Sequence, residues 1–163
     1  MAVIQLKTRK RCMTNNILVD SSFLVSLFDE TDIFHGRAKE LHIEYKHQQL
    51  RPIILDCVVN ETISVVTRRL LQKKRSHLLQ ERLSTVSATI SLMGIQHTSV
   101  LLTAHFKQIV EKIIFSNGVL SFTDALIVFF LQENNITRLL IFDSDFDSIP
   151  TLQRISFVEQ LRK

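Results

Sequence analysis

Residues 17–25 read Ile-Leu-Val-Asp-Ser-Ser-Phe-Leu-Val. The first three side chains form a short, wholly apolar run that stops at Asp20, which is typical of a strand buried on both faces of a parallel sheet. Ser21 or Ser22 is a suitable cap for the helix that the pattern continues to Phe28. A buried strand that leads directly into a helix is the building unit of α/β proteins, so this stretch predicts that fold class.

The same alternation of apolar runs and helical periodicity continues along the chain. Strands are predicted over 52–55, 94–97, 136–142 and 152–157, and helices over 33–48, 56–71, 76–90, 99–115 and 122–132. Asp56 is the predicted cap of the helix over 56–71. The helix over 99–115 is predicted to have an apolar stripe of four residues: Leu102, Phe106, Ile109 or Val110, and Ile113. Together these elements predict an α/β sandwich around a mainly parallel sheet of four to five strands.

The length of 163 residues is that of one domain. We predict a single domain over 16–158, preceded by a basic tail over 1–15 that is poorly ordered. A nucleic-acid-binding arm is the alternative interpretation of that tail. Lys and Arg number 20 against 16 Asp and Glu, and the resulting net charge of +4 is suggestive of a polyanionic partner.

The composition excludes several classes of function. The 3 glycines lie far apart, so the chain has no glycine-rich phosphate-binding loop. The 2 cysteines cannot form a four-thiolate zinc site or a disulfide framework. The apolar runs fall short of the roughly 20 residues that a membrane-spanning helix needs, and no export signal is recognisable. A reducing cytoplasm is therefore the predicted compartment.

Four acidic residues stand where the predicted strands end or helices begin. Asp20 and Asp143 follow strands, Glu61 lies early in the helix after the second strand, and Asp124 lies at the start of a later helix. Ligands of parallel α/β sheets bind beyond the carboxyl ends of the strands. Carboxylates so near a core need a partner or a cation. Oxygen ligands without His or Cys suit Mg²⁺ or Mn²⁺.

Each acid also has a purely structural interpretation. Asp20 suits a helix cap, and Glu61 suits a first helical turn. Ser121 and Asp124 have the spacing of a capping box. The remaining acids suit a turn before Pro150: Asp143, Asp145 and Asp147. These separate interpretations leave unexplained why all four strand-end or helix-start positions carry acids. The common pattern favours a shared site.

Four segments resemble, in order and approximate spacing, the acidic motifs of PIN-domain ribonucleases. They are 17–25, 58–62 (Val-Val-Asn-Glu-Thr), 121–126 (Ser-Phe-Thr-Asp-Ala-Leu) and 141–146 (Ile-Phe-Asp-Ser-Asp-Phe). The likeness covers about residues 17–155, and the segment 27–35 followed by Ala38 also resembles VapC-like toxins. The resemblance implies a three-layer α/β/α sandwich with a parallel sheet.

The resemblance also implies a chemistry. Asp20, Glu61, Asp124 and Asp143 would be the catalytic residues and would bind Mg²⁺ or Mn²⁺, with Ser22, Asp145 and Asp147 supporting them from a second layer. The reaction would be hydrolysis of an RNA phosphodiester that leaves a 5′-phosphate and a 3′-hydroxyl. Many members carry Thr or Ser two positions before the fourth acid, whereas this chain has Ile141.

RNA needs positive contacts along its backbone. The predicted RNA-binding residues are Arg68, Arg69, Lys73, Lys74 and Arg75, and a solvated helix end is the alternative interpretation. The resemblance further implies a toxin held by an antitoxin protein, and a homodimer. Two other functions stay open: a PIN-like module that binds RNA or protein without cutting, and a Mg²⁺-dependent phosphatase. The phosphatase is disfavoured because Ser22 stands where a second Asp is required.

Overall fold

The fold is described from a computed structural model, over residues 15–162. The predicted basic tail therefore lies, except for residue 15, outside the described residues. The strands are β1 (Asn16–Val19), β2 (Arg51–Leu55), β3 (Gly94–Gln96), β4 (Arg138–Leu140) and β5 (Gln153–Ile155). The helices are α1 (Ser21–Phe28), α2 (His35–His47), α3 (Asp56–Gln72), α4 (Leu79–Ser91), α5 (Ser99–Phe115) and α6 (Phe122–Glu133).

The five strands form one sheet in the order β3-β2-β1-β4-β5, and every neighbouring pair is parallel. The six helices flank this sheet, which confirms the predicted α/β/α sandwich. Helix α1 packs against α2 and α3, and α5 packs against α6. Strand β1 is central and its residues Ile17, Leu18 and Val19 are fully buried, as their apolar run predicts.

The order of the strands determines which strand ends lie next to the carboxyl end of β1. Strand β1 lies between β2 and β4, and Leu18 is in register with Leu139. The two strands on either side of β1 belong to opposite halves of the sequence. A switch of this kind in a parallel sheet opens a crevice at the carboxyl ends of the strands, which is the usual place for a ligand.

Several local predictions were wrong. Ser21 and Ser22 do not cap α1, whereas the interpretation of Asp20 as the helix cap is confirmed, since its carboxylate accepts a hydrogen bond of 2.8 Å from the Ser22 amide. Asp56 is the first residue of α3, not its cap, and its carboxylate instead accepts hydrogen bonds from the amide and the hydroxyl of Thr98. The helix predicted over 76–90 begins with a 3₁₀ turn at Ser76–Leu78.

The predicted apolar stripe of α5 is interrupted. Ile109 is fully buried, but Phe106 is 58% exposed. His105 has non-helical backbone angles (φ −129°, ψ 21°), so the helix is kinked immediately before Phe106. A kink breaks the periodicity on which the predicted stripe depends. Within residues 15–162, none of the helices has both the length and the apolar character needed to cross a membrane.

Candidate active site

The ends of β1 and β4 are joined by two hydrogen bonds. The Asp20 amide donates to the Leu140 carbonyl (3.0 Å), and the Phe142 amide donates to the Ser22 hydroxyl (3.1 Å). The chain that follows β1 is therefore fixed against the chain that follows β4. These contacts hold Asp20 and the segment leading to Asp143 at the same edge of the sheet.

One open cavity of about 230 Å³ lies at this edge, and we call it the acidic pocket. It is lined by Asp20, Ser21, Ser22, Glu61, Ser121, Thr123, Asp124, Ile141 and Asp143. All four acids that the sequence singled out therefore line a single cavity. They come from four separate parts of the chain: the end of β1, the second turn of α3, the first turn of α6 and the segment after β4.

Asp20 is the most buried of these acids, at 6% exposure. Burial raises the pKa of its carboxyl to about 6, and the nearby charge of Glu61 adds to that rise. Hydrogen bonds from Ser22 oppose the shift, but they do not overcome it. The charged form of the Asp20 carboxyl is thus disfavoured mainly because the group is removed from water.

Asp124 takes part in a capping box at the start of α6. Its carboxylate accepts from the Ser121 amide (2.9 Å), and the Ser121 hydroxyl accepts from the Asp124 amide (3.2 Å). The structural interpretation of this motif is therefore confirmed. The same contacts orient the Asp124 side chain, which also lines the acidic pocket. A carboxylate has two oxygens and about four acceptor positions, so capping and ligand binding do not exclude one another.

The acids after β4 divide between the acidic pocket and a neighbouring cavity. Asp143 lines the pocket, and its carboxylate also accepts a hydrogen bond from the Asp145 amide (3.1 Å). The charge of Asp143, with a smaller contribution from Asp124, raises the pKa of Asp145. Asp145 and Asp147 line the neighbouring cavity, and Asp147 forms a two-point ion pair with Arg154 (2.5 and 2.9 Å).

The acidic pocket has the chemistry of a divalent-cation site without a ready-made ligand cluster. Between residues 15 and 162, no three His, Cys, Asp or Glu side chains are grouped closely enough to hold a metal ion. The donor set nevertheless fits Mg²⁺ or Mn²⁺, because carboxylate oxygens are the ligands that these ions prefer. A cation bound beside Asp20 would favour the charged form of this buried carboxyl, which burial disfavours.

The basic residues predicted to bind RNA fall into two groups. Arg69 forms ion pairs with Asp29 (3.1 Å) and Asp32 (2.6 Å), and Lys73 pairs with Asp29 (2.9 Å). We call these four residues the ion-pair cluster. Within residues 15–162, no ion pair holds the remaining three predicted cations, which are all exposed: Arg68, Lys74 and Arg75.

Three hydroxyl residues of the acidic pocket were not among the predicted site residues: Ser21 next to Asp20, and Ser121 and Thr123 near Asp124. Ser121 and Thr123 line it together with Asp124. Their signal was present in the motif Ser-Phe-Thr-Asp, where alternate positions before an acid carry hydroxyls. Ile141 also lines the pocket. Many members of the resembling family carry Thr or Ser at this position, whereas here it contributes an apolar side chain to the wall.

The chain is therefore an α/β protein with a parallel sheet, and four carboxylates line one crevice beside its central strand β1. The family model that matches the chain is the PIN domain, over residues 17–152, and the chain belongs to this family. Among solved structures, the chain is similar to VapC20 of Mycobacterium tuberculosis, a toxin that cleaves the sarcin-ricin loop. The identity is 26%, the match covers 82% of this chain and 95% of that one, and the TM-score is 0.60. No curated protein matches the chain significantly.

Proposed function

We propose that the protein is a divalent-metal-dependent endoribonuclease that acts as the toxin of a toxin–antitoxin pair in the cytoplasm. The observation that carries the proposal is the gathering of Asp20, Glu61, Asp124 and Asp143 around one pocket. Membership of the PIN domain family and the similarity to an RNA-cleaving toxin support the same reaction.

The four acids are the proposed catalytic residues and ligands for Mg²⁺ or Mn²⁺. When bound, such an ion supplies a water of lowered pKa and neutralises charge on the attacked phosphate. The chain contributes the positions of the ligands. Ser22 holds Asp20 through its amide and the β4 side through its hydroxyl, while the capping box orients Asp124.

Three further residues support this site in the proposal. Ser22 is a positioning residue, since its hydroxyl accepts from the Phe142 amide next to Asp143. Asp145 contacts the Asp143 carboxylate through its own amide. Asp147 is held by Arg154, so it stabilises the turn after β4 and has less capacity to bind a cation directly.

The end of α3 is the proposed contact for the RNA backbone. Of the five cations, Arg69 and Lys73 are already neutralised in part by Asp29 and Asp32. The exposed residues Arg68, Lys74 and Arg75 therefore supply most of the attraction for phosphates.

Partner proteins follow from the same family membership. An antitoxin protein that covers the pocket and a second copy of the chain are both part of the proposal. Exposed apolar side chains on and after α5 support a protein contact there: Phe106, Ile114, Phe115 and Val119. Sedimentation equilibrium of the purified chain would report the dimer directly.

A PIN domain that binds RNA without cutting it is the second candidate. It is favoured by the absence of a ready-made ligand cluster among residues 15–162 and by Ile141 in the pocket wall. The two candidates differ in whether covalent bonds of the RNA are broken. Loss of RNA length in a metal-dependent assay therefore decides between them.

The test is incubation of the full chain with total RNA, followed by mapping of the cleaved ends. We expect cleavage with Mn²⁺, none with EDTA, and none with Asp20→Asn in either condition. New ends should carry 5′-phosphates. Equal cleavage by wild type and Asp20→Asn would trace the activity to a contaminant or another site and would overturn the proposal.

A further inference from the structure

The acidic pocket opens into a second cavity, which we call the flanking groove. This groove has a volume of about 600 Å³ and shares Ser21, Ser22, Glu61 and Asp143 with the pocket. Its volume lies within the range of about 300–1,000 Å³ that ligand sites of proteins have. A ligand that has one group at the acids can therefore place its adjoining part in the groove.

Part of the flanking groove is apolar and aromatic, beside polar and acidic lining residues such as Ser26, Asp32 and Glu61. Phe34 stacks on Phe142, with ring centroids 4.7 Å apart and an angle of 22° between the planes. Ile33 also lines the groove and is 88% exposed. Because Phe142 covers the Phe34 ring on one side, a planar ligand would meet the ring edges and the Ile33 side chain. Aromatic rings accept such edge contacts.

The far end of the groove leads to basic residues, most of which are ion-paired. Arg69 and Thr31 line the groove and also a smaller cavity of about 40 Å³. The other basic residues of that cavity are Lys73 and Arg82, which pair with Asp29 and Glu30, and the exposed Arg75. The three cavities therefore form a continuous track, which begins at carboxylates, passes the apolar part of the groove, and ends at Arg75.

We propose that the flanking groove binds a nucleobase of single-stranded RNA next to the phosphate that lies at the acidic pocket. The inference rests on the proposed function, and it adds the position of the substrate. The alternation along the track matches a nucleic-acid strand, in which charged phosphates alternate with apolar base faces. Proteins bind unpaired bases through apolar and aromatic contacts, with cations along the backbone.

Ile33 is the residue on which the proposal is best tested. Its side chain is 88% exposed, so its replacement removes little of the core. Ile43 provides a matched control, because it is also an exposed isoleucine (67%) and lies on α2 away from the residues that line the track. Any effect that Ile33→Asp has and Ile43→Asp lacks belongs to the groove.

The experiment uses the full chain, Mn²⁺ and a short single-stranded RNA that contains one mapped cleavage site. We expect Ile33→Asp to raise KM about tenfold and Ile33→Ala to raise it severalfold, in the range of one lost base contact. The positions of the cleaved ends should shift as well. The Mn²⁺ concentration for half-maximal activity should stay unchanged, and Ile43→Asp should match wild type in every respect.

The readouts separate this inference from the proposed function. If wild type does not cleave, fluorescence anisotropy with the same RNA replaces the kinetic assay. RNA binding that is weakened about tenfold by Ile33→Asp but not by Ile43→Asp would support base binding in the groove, while the absence of cleavage would contradict the proposed nuclease activity. Equal behaviour of the two variants, or no RNA binding at all, would overturn it. So would an Ile33→Asp variant that keeps its RNA affinity but loses affinity for a partner protein.

Discussion

The acidic pocket and the ion-pair cluster both contain aspartates, yet the pKa of Asp20 in the pocket is raised and those of Asp29 and Asp32 in the cluster are lowered. In the pocket, burial and, to a smaller extent, the charge of Glu61 raise the pKa of Asp20 to about 6. In the cluster, burial acts in the same direction, but hydrogen bonds from Thr31, Lys73 and Arg69 lower the pKa of Asp29, and hydrogen bonds from Arg69 and the Phe34 amide lower that of Asp32.

The difference lies in the cations that the chain itself provides. Arg69 in α3 and Lys73 directly after this helix neutralise the cluster, so its aspartates stabilise the fold. The acidic pocket has four carboxylates and no Lys or Arg among its lining residues. Carboxylates that the chain leaves without a cation are the ones for which we propose a metal ion, whereas neutralised carboxylates are structural.

The largest expected effect is on activity. Asp20→Asn should lower metal-dependent RNA cleavage at least about 10³-fold, since a catalytic metal contributes several kcal/mol to the transition state. Asp29→Asn makes the same chemical change in the ion-pair cluster and should keep activity within about tenfold of wild type. Initial rates on a defined RNA would measure both. Similar losses in the two variants would contradict the distinction between the regions.

Metal-induced stabilisation should come next in size. At 100 times its dissociation constant, an ion that binds only the folded state adds about 2.7 kcal/mol to the free energy of unfolding. For a chain of this length that corresponds to roughly 5–10 °C in Tm. Thermal melts with Mn²⁺ and with EDTA should show this rise for wild type and Asp29→Asn, and little of it for Asp20→Asn. A full rise in Asp20→Asn would show that the metal binds elsewhere.

A smaller effect is expected from Arg69→Met. The ion pairs of Arg69 are only partly buried, so the free energy of unfolding should fall by about 1 kcal/mol at pH 7. Because the folded-state pKa values of Asp29 and Asp32 are lowered, this stabilisation is present above the unfolded pKa of about 3.9. It is lost as the pH falls through the folded pKa values.

Urea unfolding at pH 7 and at acid pH would measure that loss. Arg82→Met is the control, because Arg82 pairs with Glu30, which is 66% exposed, and a few tenths of a kcal/mol is expected. A difference between wild type and Arg69→Met that persists unchanged to pH 2 would point to lost packing instead of lost charge.

The smallest effect concerns the exposed cations beside the cluster. Replacing Arg68, Lys74 and Arg75 by Gln should reduce the slope of log affinity against log salt by about 0.7 for each lost phosphate contact. Three glutamine substitutions at Lys39, Arg51 and Lys107, which are also exposed, form the control. Anisotropy titrations of single-stranded RNA at several salt concentrations measure the slope. Identical slopes in the two triple variants would remove the end of α3 from the RNA contact.

The sequence predicted the fold well because its strongest signals are local. The apolar run before Asp20 became the central strand β1, and the capping box of Ser121 and Asp124 formed as its spacing requires. The position of Asp20 and Asp143 at one edge followed from the parallel arrangement alone. The strand β4 was predicted too long, since only Arg138–Leu140 pair within the sheet.

Other features depend on contacts between distant parts of the chain, which periodicity does not contain. The partners of Arg69 lie 37 and 40 residues away, so the cluster of basic residues could not be divided into paired and exposed members. The exposure of Phe106 follows from the kink at His105 in α5, and the residues around it do not predict that kink. The flanking groove likewise requires Phe34 and Phe142 to meet, although 142 lies after the fourth strand and 34 before the second.

The hydrogen bond between Ser22 and Phe142 joins residues that are 120 positions apart. On a ribosome that adds about 5–20 residues per second, the first side of the pocket is made roughly 6–24 s before the last side. For most of that interval strand β1 has been synthesised but its neighbour β4 has not. A growing chain of this protein therefore acquires the complete pocket only after residue 143 has been added, and the activity proposed for that pocket is absent until then.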